Sequence, residues 1–407
     1  MKILIVTTYG FFFPSWPEHL QARALARRGH HVAAYAYYDP RRPGSARRHE
    51  WLPEGVAIHR CRTWGFFSPD LLLRMLRAER PDIVHLHHLR NLLGFQTVAL
   101  ARRLGVPVVL TPHGLLHDGD LVADRERPLA QPLRMDGPIT DGRELLRRIA
   151  RGAHPRRAAR NYLIHAPLRA IDGAVALSEH ERGLLIQLGV PRERTVVLPN
   201  ALDLEQFDGA ESHAAAERRS APTVLFVGQL VPRKGFDLLA RAMPAVLRAH
   251  PEARFVFVSH NLQGEAELRR LAAAGGAEQR LEIIYRPDEA EKLRLLREAA
   301  VLAAPSRYEG FGIMLVEAMA AGAPVVTTDV PTGNEIVQHE RNGLLFPYED
   351  VDALAAAIVR LLDDRDLARR LAEEGRRCAA ERYSSQRLAA DLEAWYQTVI
   401  AAAGRRR

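Results

Sequence analysis

Short β-branched and apolar runs alternate with segments whose apolar residues recur at helical spacing, and this alternation runs through most of the chain. The runs at 2–8 (KILIVTT), 31–38 (HVAAYAYY), 56–61 (VAIHRC), 82–88 (DIVHLHH), 106–111 (VPVVLT), 173–178 (GAVALS) and 195–200 (TVVLPN) predict strands. Between most of them lie helical patterns such as 18–30 (EHLQARALARRGH) and 90–105 (RNLLGFQTVALARRLG), each with a glycine suited to a helix C-cap. Strand and helix in strict succession specify parallel sheets covered on both faces.

The same grammar restarts after 208–222 (DGAESHAAAERRSAP), a stretch without apolar periodicity. Five further strands are predicted at 223–228, 253–260, 281–286, 300–306 and 323–329. The expectation is an α/β protein of two tandem, Rossmann-like, doubly wound domains: 1–207, then a linker at 208–221, then 222–384. The helical tail 385–407 is expected to pack back on the first domain. Ligands of such sheets bind at the carboxyl ends of the strands, which here predicts an interdomain cleft. One connection breaks the rhythm: 115–165 is arginine-rich and interrupted by prolines, part helix and part loop, and of a length that is more often functional or disordered than structural.

A chain of 407 residues, 47% hydrophobic and 26% charged, suits a globular enzyme of two domains or more. Cys61 and Cys378 are too far apart to define a disulfide framework or a zinc site, and suit a reducing compartment. The opening MKILIVTTYGFFF has no small-residue cleavage pattern and reads as a first strand, and no apolar run reaches the roughly 18 to 20 residues that span a bilayer. A cytoplasmic protein is expected. Its net charge of +8 attracts anions and is compatible with peripheral attachment to the inner face of the membrane. Its arginine clusters lack a reading helix or interleaved aromatics, so no nucleic-acid partner is expected.

Two carboxylates focus the chemistry. In AVLAAPSRYEGFGIMLVEAMAAGAPVV the strand ends near Ala304, a loop carries Glu309, and a helix from about Phe311 to Ala321 carries Glu317. Eight positions at ~1.5 Å rise would separate the two by about 12 Å, beyond the ~5 to 9.5 Å of glycosidase carboxylate pairs. Between them Gly310, Phe311, Gly312 and Ile313 open a helix whose unpaired amides form an anion seat. Two carboxylates that accept from vicinal hydroxyls, one on each side of a diphosphate seat, describe a nucleotide-sugar site. FVGQLVPRKGFDLL (226–239) adds Arg233 and Lys234 just after another strand, as phosphate cations.

GQLVPRKGFDLL, PSRYEGFGIMLVEAMAAGAPVV, NEIVQHERNGLLF and LPNALDLEQF together resemble the retaining glycosyltransferases of family 4, the group 1 transferases of GT-B fold. The resemblance covers nearly the whole chain and is weakest at 9–20 and 115–165. It implies that Glu309 contacts donor-sugar hydroxyls, Glu317 the ribose and Lys234 the diphosphate. The backbone of Phe311, Gly312, Ile313, Met314 and Leu315 would meet sugar and phosphate. His113, in LTPHG, matches the family's histidine beside the donor sugar, so His113 and Glu309 are the catalytic candidates. No metal or cofactor is implied; the nucleoside diphosphate sugar is a co-substrate.

The chain also departs from the family. Gln229 stands where arginine is usual, so Arg233 or an arginine of another loop must supply the second phosphate cation. Asn200 is followed by Ala201 instead of glycine. The glycine pair after the first strand is replaced by YGFFFPSWPEH, leaving Gly10, with Phe11, Trp16 and His19 as candidates to line acceptor or diphosphate. Phe11, Phe12, Phe13 and Trp16 form either an apolar platform for a sugar face or lipid chain, or buried packing. In HLHHL (85–89), His85 and His87 alternate with apolar residues along a strand, which favours a structural or acceptor-lining role over a metal site.

The expected reaction carries a hexose from a UDP- or GDP-sugar to a hydroxyl of a glycan, a lipid-linked glycan or a small molecule, with retention. The alternatives are a catalytically impaired nucleotide-sugar-binding protein and a GT-B sugar-nucleotide epimerase. A phosphorylase would need a pyridoxal lysine that is not identifiable, and a dehydrogenase a GxGxxG after the first strand.

Overall fold

The computed structural model describes residues 1–7, 16–37, 49–61, 69–89, 92–117, 119–207 and 221–405. The chain divides into two compact units. The first comprises Met1–Ala123, Leu133–Ala201 and Ser385–Arg407; the second comprises Asp124–Pro132 and Leu202–Ser384. This division differs from the boundaries read from the sequence at two places. Residues 202–207 join the second unit because Leu202 donates its amide to Tyr383. The segment Asp124–Pro132 joins it because Glu126 accepts from the Arg233 amide and Arg127 pairs with Glu349. The expected linker lies outside the described residues except for Ala221.

The first unit is built on strands β1 (Lys2–Thr7), β2 (His31–Tyr37), β3 (His49–Trp51), β4 (Ala57–Cys61), β5 (Ile83–His87), β6 (Val108–Thr111), β7 (Gly173–Ala176) and β8 (Thr195–Val197). They lie in the order β3-β4-β2-β1-β5-β6-β7-β8, all parallel except the β3–β4 pair. Strand β3 does not follow from the sequence pattern, since HEW carries no β-branched or apolar run. Both faces of the central strands are buried, as crossover helices require: Leu4 and Ile5 have no exposure, and Ile3 pairs with Val32 on one side and Ile83 on the other.

The C-terminal helix, Ser385–Gly404, belongs to this unit. It contributes Leu392, Tyr396 and Val399 to a core that also holds Ile3, Ala22, Leu25, Val32 and Ile83. Arg28 pairs with Glu393 on the outside, and Gln21 donates to the Tyr396 hydroxyl inside.

The second unit carries β9 (Thr223–Val227), β10 (Arg254–Ser259), β11 (Leu281–Tyr285), β12 (Val301–Ala304), β13 (Val325–Thr328) and β14 (Leu344–Phe346), in the order β11-β10-β9-β12-β13-β14 and parallel throughout. Strand β14 is one more than the five predicted. Its LLF is embedded in a turn-rich segment that hides its pattern. Phe226, Phe255, Phe257 and Phe346 pack with Leu239, Met243 and Leu354 of the covering helices.

Strand order reverses at one place in each sheet. In the first, β1 sends the chain to β2 on one side and has β5 on the other; in the second, β9 has β10 on one side and β12 on the other. Such switch points open a crevice beyond the strand carboxyl ends, because the connections on either side leave in opposite directions. Among the described residues no helix is long and apolar enough to cross a membrane.

Candidate active site

In the second unit, the loops after β9 and β12 meet at the switch point and are knitted together by backbone. The amide of Arg307 donates to the Arg233 carbonyl at 2.8 Å. Gly235 adopts φ +69°, and a Cβ there would lie 1.8 Å from the Pro305 carbonyl oxygen, so the two loops approach as only glycine permits. Arg307, 1% exposed, crosses the seam. Its guanidinium forks onto Asp237 at 2.8 and 2.9 Å, reaches Glu349, and donates to the Pro232 carbonyl. Burial alone would lower its pKa, and the hydrogen bonds it donates to Asp237 and Glu349 outweigh it, so this arginine stays charged. No sequence motif pointed to it.

This seam brings Lys234 and Glu309 together. The Lys234 ammonium lies 2.7 and 2.6 Å from the two Glu309 oxygens, and Ser306 donates its hydroxyl to the same carboxylate at 2.5 Å. Burial pushes the Glu309 carboxyl up, but Lys234 and Arg233 outweigh it and hold it below its usual value. Glu309 is therefore an anion, 5% exposed, accepting three hydrogen bonds from two donors. The Arg233 guanidinium turns to the Tyr308 carbonyl at 3.3 Å, in the same loop.

The helix that follows runs Ile313–Ala321, two residues shorter at its start than the pattern suggested. Gly312, at φ +91°, is its N-cap, and the chain turns there in a conformation that Phe311 could not adopt cheaply. Phe311, Met314 and Leu315 bury their side chains, with Phe311 edge-on to Tyr383, so backbone and the half-buried Ile313 remain to face a ligand at this helix start. Gly310, Gly312 and Ile313 complete that turn. The first amides of a helix have no intrahelical partners and carry the positive end of its dipole.

Glu317, on the same helix, is paired with Lys292 at 2.9 Å, in the first turn of the helix Glu289–Glu298. Lys292 also meets Glu289 at 2.8 Å. Burial draws the Lys292 ammonium down, but the two carboxylates more than offset this and hold it above the usual lysine value. Lys292 was not identified from sequence; within an EKLRLLRE helix it reads as a solvated i,i+3 partner. Gln229, at the arginine position, donates its side-chain amide N–H to His260 Nε2 at 3.1 Å.

In the first unit, His113 follows β6 at φ +58°, and His88 follows β5 at φ +65°. Two non-glycine residues in the left-handed region at adjacent strand ends store local strain, of order 1–3 kcal/mol each, that the surroundings must hold. His87 Nδ1 lies 2.8 Å from His113 Nε2, and His88 Nε2 lies 2.7 Å from Glu18 Oε1, itself 3.8 Å from His113 Nε2. Burial pushes the Glu18 carboxyl up, but the hydrogen bond from His88 and the charges of His113 and His88 hold it at about 2. Burial lowers His85 to about 3 and holds His87 well below the usual histidine value, so both are neutral near pH 7.

Among the described residues, Glu18, His88 and His113 bring ligand atoms within 4.8 Å of one another, close enough to hold a metal ion. Hydrogen bonds already join Glu18 to His88 and His113 to His87. His85 does not join this group by hydrogen bond; its ring nitrogens face Gln21, Tyr396 and Thr111.

The loop after His113 is pinned from below. The buried Glu181 carboxylate accepts from the amides of Gly114 at 2.7 Å, Leu115 at 3.3 Å and Leu177 at 2.9 Å. Burial raises its pKa to about 7 despite these three bonds. Of the first-loop candidates, Gly10 and Phe11 lie outside the described residues, as do Phe12 and Phe13. Trp16 is the N-cap of the helix Pro17–Arg27. His19 is buried, and desolvation together with Arg23 lowers its pKa to about 4, with Glu54 and Glu50 acting the other way. It is Glu18, one residue earlier, that the helix start turns to His88 and His113. An acidic residue in a first helical turn reads from sequence as a dipole partner, and so concealed that role.

Residues 19–206 match the model described as Glycosyltransferase Family 4, and residues 210–378 the model described as Glycosyl transferases group 1. The chain is 33% identical over 231 residues to the phosphatidyl-myo-inositol mannosyltransferase of Mycobacterium leprae (strain TN), covering 56% of this chain and 60% of that protein. It is 28% identical over 333 residues to the glycogen synthase of Mycobacterium tuberculosis (strain ATCC 25618 / H37Rv), covering 80% of this chain and 68% of that one. The chain thus spans about three fifths of the length of the mannosyltransferase it matches.

Among solved structures, sucrose-phosphate synthase from Thermosynechococcus elongatus superposes with a TM-score of 0.73 at 22% identity, covering 99% of this chain and 100% of that chain. Anabaena HepE in complex with UDP and glucose superposes at 0.69 and 20% identity, covering 97% and 98%. The fold is GT-B, with one α/β sheet in each of two domains, the first parallel except for its β3 edge and the second parallel throughout.

Proposed function

This chain belongs to the group 1 glycosyltransferases of family 4, and from that premise we propose that it transfers a hexose from a UDP- or GDP-sugar to an acceptor hydroxyl, with retention and without a metal. The observation that carries this reading is the cradle at the second switch point: Lys234 closed on Glu309, a helix that starts at Ile313 just after that loop, and Glu317 about one turn along the same helix. A diphosphate on the helix start would meet Lys234, and Glu309 would exchange part of its contact with Lys234 for sugar hydroxyls. Glu317 keeps a carboxylate oxygen beyond the one on Lys292 for a ribose hydroxyl. Here the transferase supplies by fixed side chains and a helix dipole the charge that a departing diphosphate develops, which lowers the barrier by preorganisation.

In the proposed step the bond from the anomeric carbon to the diphosphate oxygen breaks, and a bond to the acceptor oxygen forms on the same face. The acceptor proton passes to the departing phosphate oxygen, so no basic side chain is required. The neighbouring solved complex holds UDP and glucose, which agrees with a nucleotide-sugar donor for this chain. His113, held in a strained conformation and hydrogen-bonded to His87, is proposed to face the donor sugar.

The acceptor class is a glycan, a lipid-linked glycan or a small molecule. A panel of UDP-, GDP- and ADP-sugars, read by thermal shift and by release of nucleotide, tests the proposal. A true donor raises the melting temperature by mass action and is turned over, and Lys234→Ala or Glu309→Ala abolishes turnover. Wild-type rates in either variant would refute it. Gln229, where the family has arginine, favours one rival: a protein that binds donor without turnover, in which case thermal shift persists and neither hydrolysis nor transfer is seen.

A further inference from the structure

The connection between β6 and β7 contains two consecutive helices, Gly142–Ala150 and Pro155–His165. Between Asp141 and His165 there are seven arginines and only two acids, Asp141 and Glu144. Both acids are engaged: Asp141 caps the first helix through the Arg143 amide, and Glu144 pairs with Arg147 and Arg148.

The first helix buries none of its residues. Leu145 and Ile149 are half-covered, while the outward stripe consists of Arg143, Leu146, Arg147 and Ala150, extended by Arg151. Leu146 is 69% exposed. On the second helix Arg156, Arg157 and Arg160 form a further exposed stripe. The guanidinium groups of Arg143, Arg151, Arg156, Arg157 and Arg160 have no partner among the described residues.

Beside this hairpin lies a cavity of about 610 Å³, with Phe95, Val98 and Tyr162 among its walls and three cations, Arg102, Arg143 and Arg169, against one acid, Asp141. A recess that is part apolar and part polar, next to guanidinium groups, fits a phosphate joined to a hydrocarbon better than a free anion.

We propose that the helical hairpin 142–165 is a docking surface for anionic phospholipid, with Leu146 entering the headgroup layer and the adjoining cavity receiving a lipid phosphate and the start of its chains. A basic helix with a leucine in the middle of its exposed arginines has the charge and the apolar contact that such a surface rewards. Nucleic acid would match the charge but not the exposed leucine or the apolar part of the recess. The surface is independent of the transfer reaction, since vesicles without donor or acceptor are enough to reveal it.

The test is co-sedimentation of the full chain with vesicles of phosphatidylcholine alone and of phosphatidylcholine mixed with phosphatidylglycerol. Wild type is expected to bind only the mixed vesicles, to be released by high salt, and not to be displaced by inorganic phosphate at the same ionic strength. Arg151→Ala/Arg156→Ala/Arg157→Ala should lower partitioning roughly a hundredfold, the product of about 1 kcal/mol for each basic side chain near the surface. Leu146→Asp should also lose binding, with circular dichroism and melting temperature unchanged in both variants. No binding to phosphatidylglycerol vesicles would overturn the proposal, as would Leu146→Asp or the triple variant binding like wild type. So would displacement by inorganic phosphate, or binding to duplex DNA as tight as to vesicles and insensitive to Leu146→Asp.

Discussion

Lys234 and Glu309 close on each other through both carboxylate oxygens, at 2.7 and 2.6 Å, although 75 positions separate them in sequence. The pair sits at the junction of two loops that approach through Gly235 and Pro305, and it holds in one place the cation and the anion that a nucleotide sugar would need.

Removing one member of this pair leaves the other buried and unpaired. Lys234→Ala should therefore abolish turnover and also lower stability by about 3 kcal/mol, the usual penalty for an orphaned buried charge. The double variant Lys234→Met/Glu309→Gln should regain most of that stability without regaining activity. Urea unfolding alongside nucleotide release separates the two effects; a double variant as unstable as the single would argue against the pairing.

Glu317 should reveal itself through the ribose. With Glu317→Gln, donor affinity is expected to fall by about 1.5–3 kcal/mol, the range for a hydrogen bond to a charged group. The matching 2′- or 3′-deoxy nucleotide should bind weakly to wild type and lose little more in the variant. Additive losses across this cycle, measured by calorimetry, would place the ribose elsewhere.

Gly235→Ala should be among the most damaging small substitutions in the second domain. The new methyl would lie 1.8 Å from the Pro305 carbonyl oxygen, at a φ of +69° that side chains rarely adopt. The loops after β9 and β12 must then separate, taking Lys234 from Glu309. The expected result is a lower melting temperature and loss of donor-induced thermal shift. A variant with wild-type melting and donor response would show that the seam tolerates opening.

Stability should fall as pH rises through the slightly acidic range because of Glu181. Its folded pKa of about 7 lies above the ordinary value of 4.5, so the native state binds this proton more tightly than the unfolded chain. The contribution is fully present below about 4.5 and lost as pH rises through about 7, a change on the order of 3 kcal/mol. Denaturant unfolding at pH 5 and pH 8 should show this component in wild type and not in Glu181→Gln. Because Glu181 holds the amides after His113, that variant should also lower kcat more than it raises the donor KM. An unchanged pH dependence in Glu181→Gln would assign the effect to other groups.

The alternation of β-branched runs with helical spacing was enough to determine two parallel α/β domains, because each element carries its own periodicity in adjacent residues. The loop-helix carrying Glu309 and Glu317 was readable for the same reason: its glycines, its apolar run and its spacing are all local. Strands β3 and β14 were not readable, since HEW carries no β-branched or apolar run and LLF is embedded in a turn-rich segment.

Which charges meet was decided only in three dimensions. Glu18 with His88, Arg307 with Asp237 and Lys292 with Glu317 are separated by 70, 70 and 25 positions. Their pairing follows from the order in which strands are laid beside one another and from where that order reverses. Strand order arises from the packing of crossovers on a whole sheet, and no local spacing in the sequence encodes it.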